Sequence, residues 1–193
     1  MKTSTCALVA LLVSGVLSLA MPATADTVVS LDRFRQIALH GGGEISLKHG
    51  DVQRVTLIKG STAHTTFRLS ADGGLEIDAC NITCPHQYEL KIEIVSPDIR
   101  GASIDGGGEI RSDGAFPGQS SFSAAINGGG LIDVRAIRAA SAEASVHGGG
   151  KILVSANASL AASVAGGGEI IYRGNPAVSQ SIAGGGSVER ETD

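Results

Sequence analysis

Residues 102–110 read Ala-Ser-Ile-Asp-Gly-Gly-Gly-Glu-Ile, and the same order returns three more times. It is Ala-Ala-Ile-Asn-Gly-Gly-Gly-Leu-Ile at 124–132, Ala-Ser-Val-His-Gly-Gly-Gly-Lys-Ile at 144–152 and Ala-Ser-Val-Ala-Gly-Gly-Gly-Glu-Ile at 162–170. Apolar residues alternate with small or polar ones up to each triplet, and a period of two is the signature of a strand. Across the chain there are six triplets: Gly41–Gly43, Gly106–Gly108, Gly128–Gly130, Gly148–Gly150, Gly166–Gly168 and Gly184–Gly186. The last five start 22, 20, 18 and 18 residues apart. Two positions before the triplets stand Leu39, Ile104, Ile126, Val146, Val164 and Ile182, and two positions after them Ile45, Ile110, Ile132, Ile152, Ile170 and Val188. The unit is therefore strand, glycine corner, strand. A near-constant interval of such units predicts one coil per unit in a stack.

A flexible linker is equally rich in glycine but keeps no aliphatic register on both sides. A phosphate-binding loop needs Gly-x-x-x-x-Gly-Lys-Ser/Thr, or Gly-x-Gly-x-x-Gly opening a helix, and neither is present. The predicted fold is one all-β domain over residues 26–193, a parallel β-solenoid, right-handed and without a major helix. Regular coils are expected over 98–190 and less regular β coils over 26–97. In that first part Val52–Ile58, Thr65–Ser70, Leu75–Ile77 and Tyr88–Val95 carry strand patterns, with turn signals at Gly60-Ser61 and Asp72-Gly73-Gly74. The run Leu31–Leu39 is read as the opening strand. Val188 is followed by Glu189-Arg190-Glu191-Thr192-Asp193, charges that discourage edge-to-edge polymerisation at the C-terminal end.

Composition agrees. Of 193 residues 42% are hydrophobic, only 3% aromatic with no Trp, and 27 are Gly, so the core must be built from small and β-branched side chains. Fifteen basic against 19 acidic residues give a net charge of −4, which offers nucleic acid no basic footprint.

Residues 1–25 read as a secretory signal peptide: Lys2, an apolar run from Ala7 to Leu19, and the small-x-small site Ala23-Thr24-Ala25. A membrane anchor is the other reading of that run, though it is short for a span. Cys6 precedes the apolar run and so does not mark a lipoprotein. No later segment is apolar enough to cross a membrane as a helix, and the expected location is exported: periplasm, cell surface or extracellular space.

Cys80 and Cys84 remain after the leader, an even pair in an oxidising compartment, and are expected to form a disulfide. Their spacing is one residue too long for a thioredoxin-like C-x-x-C, and His86 does not follow Cys84 directly as haem attachment requires. Asn81-Ile82-Thr83 is an N-glycosylation sequon, relevant in a host that glycosylates there.

Several stretches carry a family resemblance: Phe34-Arg35-Gln36-Ile37 before the first glycine turn, Glu44 to Asp51, Gly74-Leu75-Glu76-Ile77, Ile92 to Ile99, and the serial glycine turns. On these the chain resembles the auto-transporter adhesin, head GIN domain family of bacterial envelope proteins over nearly all of residues 27–190. The resemblance implies a parallel β-solenoid in an envelope or surface setting and carries no catalytic residues. At 193 residues the chain is not expected to hold the translocating barrel of a true auto-transporter.

Immediately before the triplets runs a column of His40, Asp105, Asn127, His147, Ala165 and Ala183. Asp105, Asn127 and His147 admit two readings: a divalent-metal or small polar ligand site, or a polar ladder bonding to the corner backbone. After the triplets Lys151 and Glu169 are placed to pair across coils as part of a solvated face. No metal or other cofactor is assigned, and no catalytic residue. Ser121 lacks a His-Asp partnership or a Gly-x-Ser-x-Gly context, and Arg111 beside Asp113 is far short of a lyase carboxylate cluster. The leading expectation is a non-enzymatic, adhesin-like envelope or surface protein that meets a glycan or protein of the envelope or host surface through a rigid β-solenoid face. The alternatives are a structural envelope protein assembling through its ends and a β-helical carbohydrate-processing enzyme.

Overall fold

A computed structural model describes residues 26–81 and 83–192; the leader at 1–25 and the sequon residue Ile82 lie outside the described residues. Fifteen strands and no helix are present among them. They are β1 (Thr27–Val29), β2 (Gln36–Gly41), β3 (Glu44–His49), β4 (Arg54–Lys59), β5 (Thr66–Leu69), β6 (Leu75–Asp78), β7 (Lys91–Ser96) and β8 (Gly101–Gly106). Then follow β9 (Glu109–Asp113), β10 (Gln119–Gly128), β11 (Leu131–Gly148), β12 (Lys151–Gly166), β13 (Glu169–Arg173), β14 (Ala177–Gly184) and β15 (Ser187–Arg190). All belong to one sheet, in the order β1-β4-β7-β3-β9-β11-β10-β8-β2-β6-β5, with β12 beside β11, β13 and β14 beside β12, and β15 beside β13.

The all-β expectation holds, but the parallel β-solenoid does not. Pairs β1/β4, β4/β7 and β5/β6 are antiparallel, so the sheet is mixed and curls as a half-barrel. The cause lies in the 62 residues between the first two triplets, 44–105. There the chain leaves the triplet-bearing strands and reverses. In the β5–β6 hairpin Ser70 N–H donates to Gly74 O at 2.8 Å and Gly73 N–H to Ser70 O at 2.9 Å. The opening strand is also corrected: it is Thr27–Val29, and strand at Leu31–Leu39 begins only at Gln36. Leu31 and Phe34 instead pack onto the core, where the Gln53 side-chain amide accepts from Phe34 N–H and donates to Phe34 O.

Among the triplet-bearing strands the pairing is parallel. Gly41, Gly106, Gly128, Gly148, Gly166 and Gly184 follow one another in register. So do the aliphatics before them, buried from Leu39 to Val164, and those after them, buried from Ile45 to Ile170. Each such burial contributes about 1.5–3 kcal/mol.

The three glycines serve different ends. At the first, φ is positive (122° at Gly148), and an added Cβ would sit 2.5 Å from the carbonyl oxygen of Gly128. That oxygen is not free to move, because it accepts from Gly149 N–H at 2.9 Å. At the third, a Cβ on Gly150 would lie 2.6 Å from Ile126 Cγ2, inside the buried aliphatic column. The middle glycines have nothing within 4 Å.

Gly148→Ala is therefore expected to destabilise the protein by about 2–4 kcal/mol, combining backbone strain with the carbonyl clash. Gly149→Ala should stay within about 0.5 kcal/mol of the parent. Urea unfolding followed by far-ultraviolet circular dichroism measures both; equal losses at the two positions would refute this division of roles.

Candidate functional site

The strands preceding the corners turn alternate residues outward, and two of the rows so formed consist of short residues alone. One outward row is Ala38, Ser103, Ala125, Ser145, Ser163 and Ser181; another is Ser121, Ser141, Ser159 and Ala177. Ser159 Oγ donates to Ser141 Oγ at 2.9 Å, linking two strands along a row. Two shallow concavities mark this face. One of about 270 Å³ lies among Gln36, Asp72, Glu76, Ser103 and Ser123. The other, about 540 Å³, lies among Arg100, Ser121, Ser141, Glu143 and Ser159. The result is a broad surface of hydroxyls and methyls, with Asp72 and Glu76 at its margin and Glu143 between the two rows.

The polar column borders that face. Asp105 is in register between His40 and Asn127, and Asn127 between Asp105 and His147. Asn127 Nδ2 donates to Asp105 Oδ1 at 3.2 Å, and His40 Nδ1 stands 3.9 Å from Asp105 Oδ2. All three predicted members are exposed. Among the described residues no group of three His, Cys, Asp or Glu side chains is placed to hold a metal ion. Asp78 joins the column beside His40 without a glycine triplet to announce it, and its carboxylate pairs with Arg68 at 3.0 Å. The column is thus a polar row across the strands in which Asn127 and Asp105 are hydrogen-bonded to each other.

Cys80 and Cys84 are joined by a disulfide, with Cα atoms 6.0 Å apart, at the edge of a groove of about 540 Å³ that also meets Pro85, His86 and Tyr88. Tyr88 pins the neighbouring turn: its hydroxyl accepts from Ser61 N–H at 2.9 Å and lies 2.7 Å from Thr65 Oγ1.

The strands following the corners present charge instead. Lys151 pairs with Glu169 at 2.8 Å across strands, Lys91 with Glu44 at 2.9 Å and Lys48 with Glu93 at 2.7 Å. Beside a concavity of about 390 Å³ gather Arg135, Arg138 and Arg173. Two of these guanidiniums are already engaged: Arg135 with Asp133 at 2.6 Å and with Glu191, Arg173 with Glu191 at 2.8 Å. Glu191, one of the terminal charges noted in the sequence, also ties β11 to β13. Burial disfavours the charge on Asp133, but hydrogen bonds from Arg135, with the charges of Arg135 and Arg111, outweigh it and hold the carboxyl below its ordinary 3.8. Desolvation likewise opposes ionisation of Glu191, and Arg135 and Arg173 overcome it, placing that carboxyl below 4.5.

Both carboxyls are more acidic folded than unfolded, so their contribution is complete above the unfolded values and is lost as pH falls through the lowered folded ones. The melting temperature should hold down to about pH 4.5 and then fall, with a shallower acid limb in Arg135→Gln. Thermal melts across acid pH decide it; identical limbs in the two proteins would count against the tie.

Among curated proteins none matches the chain. Solved structures do. A putative adhesin from Bacteroides fragilis is 19% identical with a TM-score of 0.54, covering 88% of this chain and 99% of its own. A putative adhesin from Parabacteroides merdae is 15% identical with a TM-score of 0.43, covering 87% and 96%. A putative cell adhesion protein from Clostridium sporogenes is 10% identical with a TM-score of 0.38, covering 86% and 98%. The Bacteroides structure shows that the two chains share a fold. Residues 118–176, which span β10 to β13, match the family described as "Putative auto-transporter adhesin, head GIN domain", the family that the sequence resembles.

Proposed function

We propose that this is an exported, non-enzymatic, adhesin-like protein of the cell envelope, which meets a glycan or protein of the envelope or host surface through the outward face of β10, β11, β12 and β14. The observation that carries this reading is the in-register array of short side chains on that face. Ser, Ala and Gly lose little rotamer freedom on contact, so a surface built of them binds without a large ordering cost. Neighbouring strands repeat its hydroxyls at about 4.8 Å, offering an extended ligand many equivalent hydrogen bonds. With few aromatic rings available for stacking, affinity rests on the number of contacts more than on a single anchor. The adhesin descriptions of the family and of the Bacteroides relative support the same assignment.

A glycan and matrix-protein array probed with the purified protein tests it. Binding is expected to fall at least about tenfold in Ser145→Arg/Ser163→Arg, whose side chains would stand over the face, and to persist in Glu169→Gln on the charged side. No signal above control with the parent protein would end the adhesion reading, and release of reducing sugars from envelope polysaccharides would replace it with an enzymatic one.

A further inference from the structure

Among the described residues four strands end the sheet, since each pairs on one side only: β1, β5, β14 and β15. Unpaired strand edges invite further pairing, and three of these are blunted in familiar ways. β1 is three residues long; β5 carries Arg68 and β15 carries Glu189 and Arg190. β14 is different. It runs eight residues, Ala177 to Gly184, without a charge, and every residue in it is exposed.

The buried columns of the core also run out there. Leu160, 1% exposed, is followed in register by Val178 at 38%; Val164, 1% exposed, is followed by Ile182 at 42%. Gln180 continues the buried column of Ala102, Ala124, Ala144 and Ala162. These side chains stand on the core face of the sheet with one rung missing above them.

The sequence of the strand says what fits. Ala177-Val178-Ser179-Gln180-Ser181-Ile182-Ala183 reads almost identically in both directions. Antiparallel pairing about Gln180 sets Val178 opposite Ile182 of a second copy, Ser179 opposite Ser181, Ala177 opposite Ala183 and Gln180 opposite itself. Directly opposed residues share a face of the sheet, so the apolar pair meets on the core side and the serines on the outer side. The facing Gln180 amides can donate to and accept from each other.

From this we infer that β14 is the interface of a two-fold homodimer, formed by antiparallel pairing of β14 with β14 of a second copy of this chain. Such a contact is isologous and closes on itself, leaving β15 with its charges outside the pairing. The inference does not rest on the adhesin reading: a monomeric β14 would leave array binding untouched.

Sedimentation equilibrium of the purified protein over about a hundredfold range of concentration should return twice the chain mass at the upper end. Gln180→Glu and Gln180→Lys each place like charges opposite one another and should each weaken the dimer at least about tenfold, while an equimolar mixture of the two restores it. That restoration separates a lost interface from a lost fold. Gln180→Cys should cross-link two chains under oxidation, because directly opposed strand positions fall within disulfide reach, whereas Ala183→Cys, which faces Ala177, should not. A parent protein that stays monomeric throughout, or dimers indifferent to the Gln180 variants, would overturn the proposal. So would open-ended polymers, which would mean that β14 meets another edge of the next copy.

Discussion

At four successive corners the structure depends on a hydrogen bond between glycines: the amide of the middle glycine at 107, 129, 149 and 167 donates to the carbonyl of the first glycine in the preceding triplet. The distances are 3.1 Å for Gly107 to Gly41, 3.0 Å for Gly129 to Gly106 and 2.9 Å for Gly149 to Gly128. The bond carries the backbone ladder through the bend while the chain changes direction. It also fixes the carbonyl that leaves no room for a Cβ at the first position. Once the corners are held in register, the aliphatics on either side can stack only upon their counterparts, and the core follows from the corners.

That constraint divides the molecule into two surfaces of different chemistry. Before the corners, most outward positions hold Ser, Ala and Gly, with Glu143 standing among them and the column of Asp105, Asn127 and His147 beside the corners. Beyond the corners the same alternation turns Glu44, Lys91, Lys151, Glu169, Asp133 and Arg135 outward, most of them in pairs. Exposed ion pairs contribute modestly to stability, but Asp133, Arg135 and Glu191 are partly enclosed and tie the last residues of the chain to the middle of the sheet. A face of satisfied charges has little left to offer a ligand; on the short-chained face the hydroxyls are uncharged and stand in rows across the strands.

Much of this was readable from residues 98–190. The aliphatic positions flanking each triplet, the partnership of Lys151 with Glu169 and the neighbouring placement of Asp105, Asn127 and His147 all follow from period-two alternation at a fixed interval. The strand directions in 26–97 do not. A pattern such as Tyr88, Leu90, Ile92, Ile94 shows which face is buried and is the same read forwards or backwards, so it cannot tell that β7 runs against β4. Hence the parallel solenoid was the natural expectation and a mixed, curled sheet the outcome. Asp78 escaped notice because its place beside His40 comes from β6 joining β2 across the sheet. Glu191 escaped because a carboxylate near a chain end looks solvated until its arginines are located.

The intervals between the last five triplets, 22, 20, 18 and 18 residues, are all even numbers. Relative to the next, the 128–148 interval holds two additional residues, and the strand pairing absorbs them as register shifts between Asp133 and Ser141. Along a strand two residues restore the original side and one reverses it. A net change of two therefore leaves inside and outside where they were: Ile132 with Ile152 before the shifts, and Val146 with Val164 after them, stay buried in register. Over the last five triplets the chain thus changes its length by couples and its core keeps to one side.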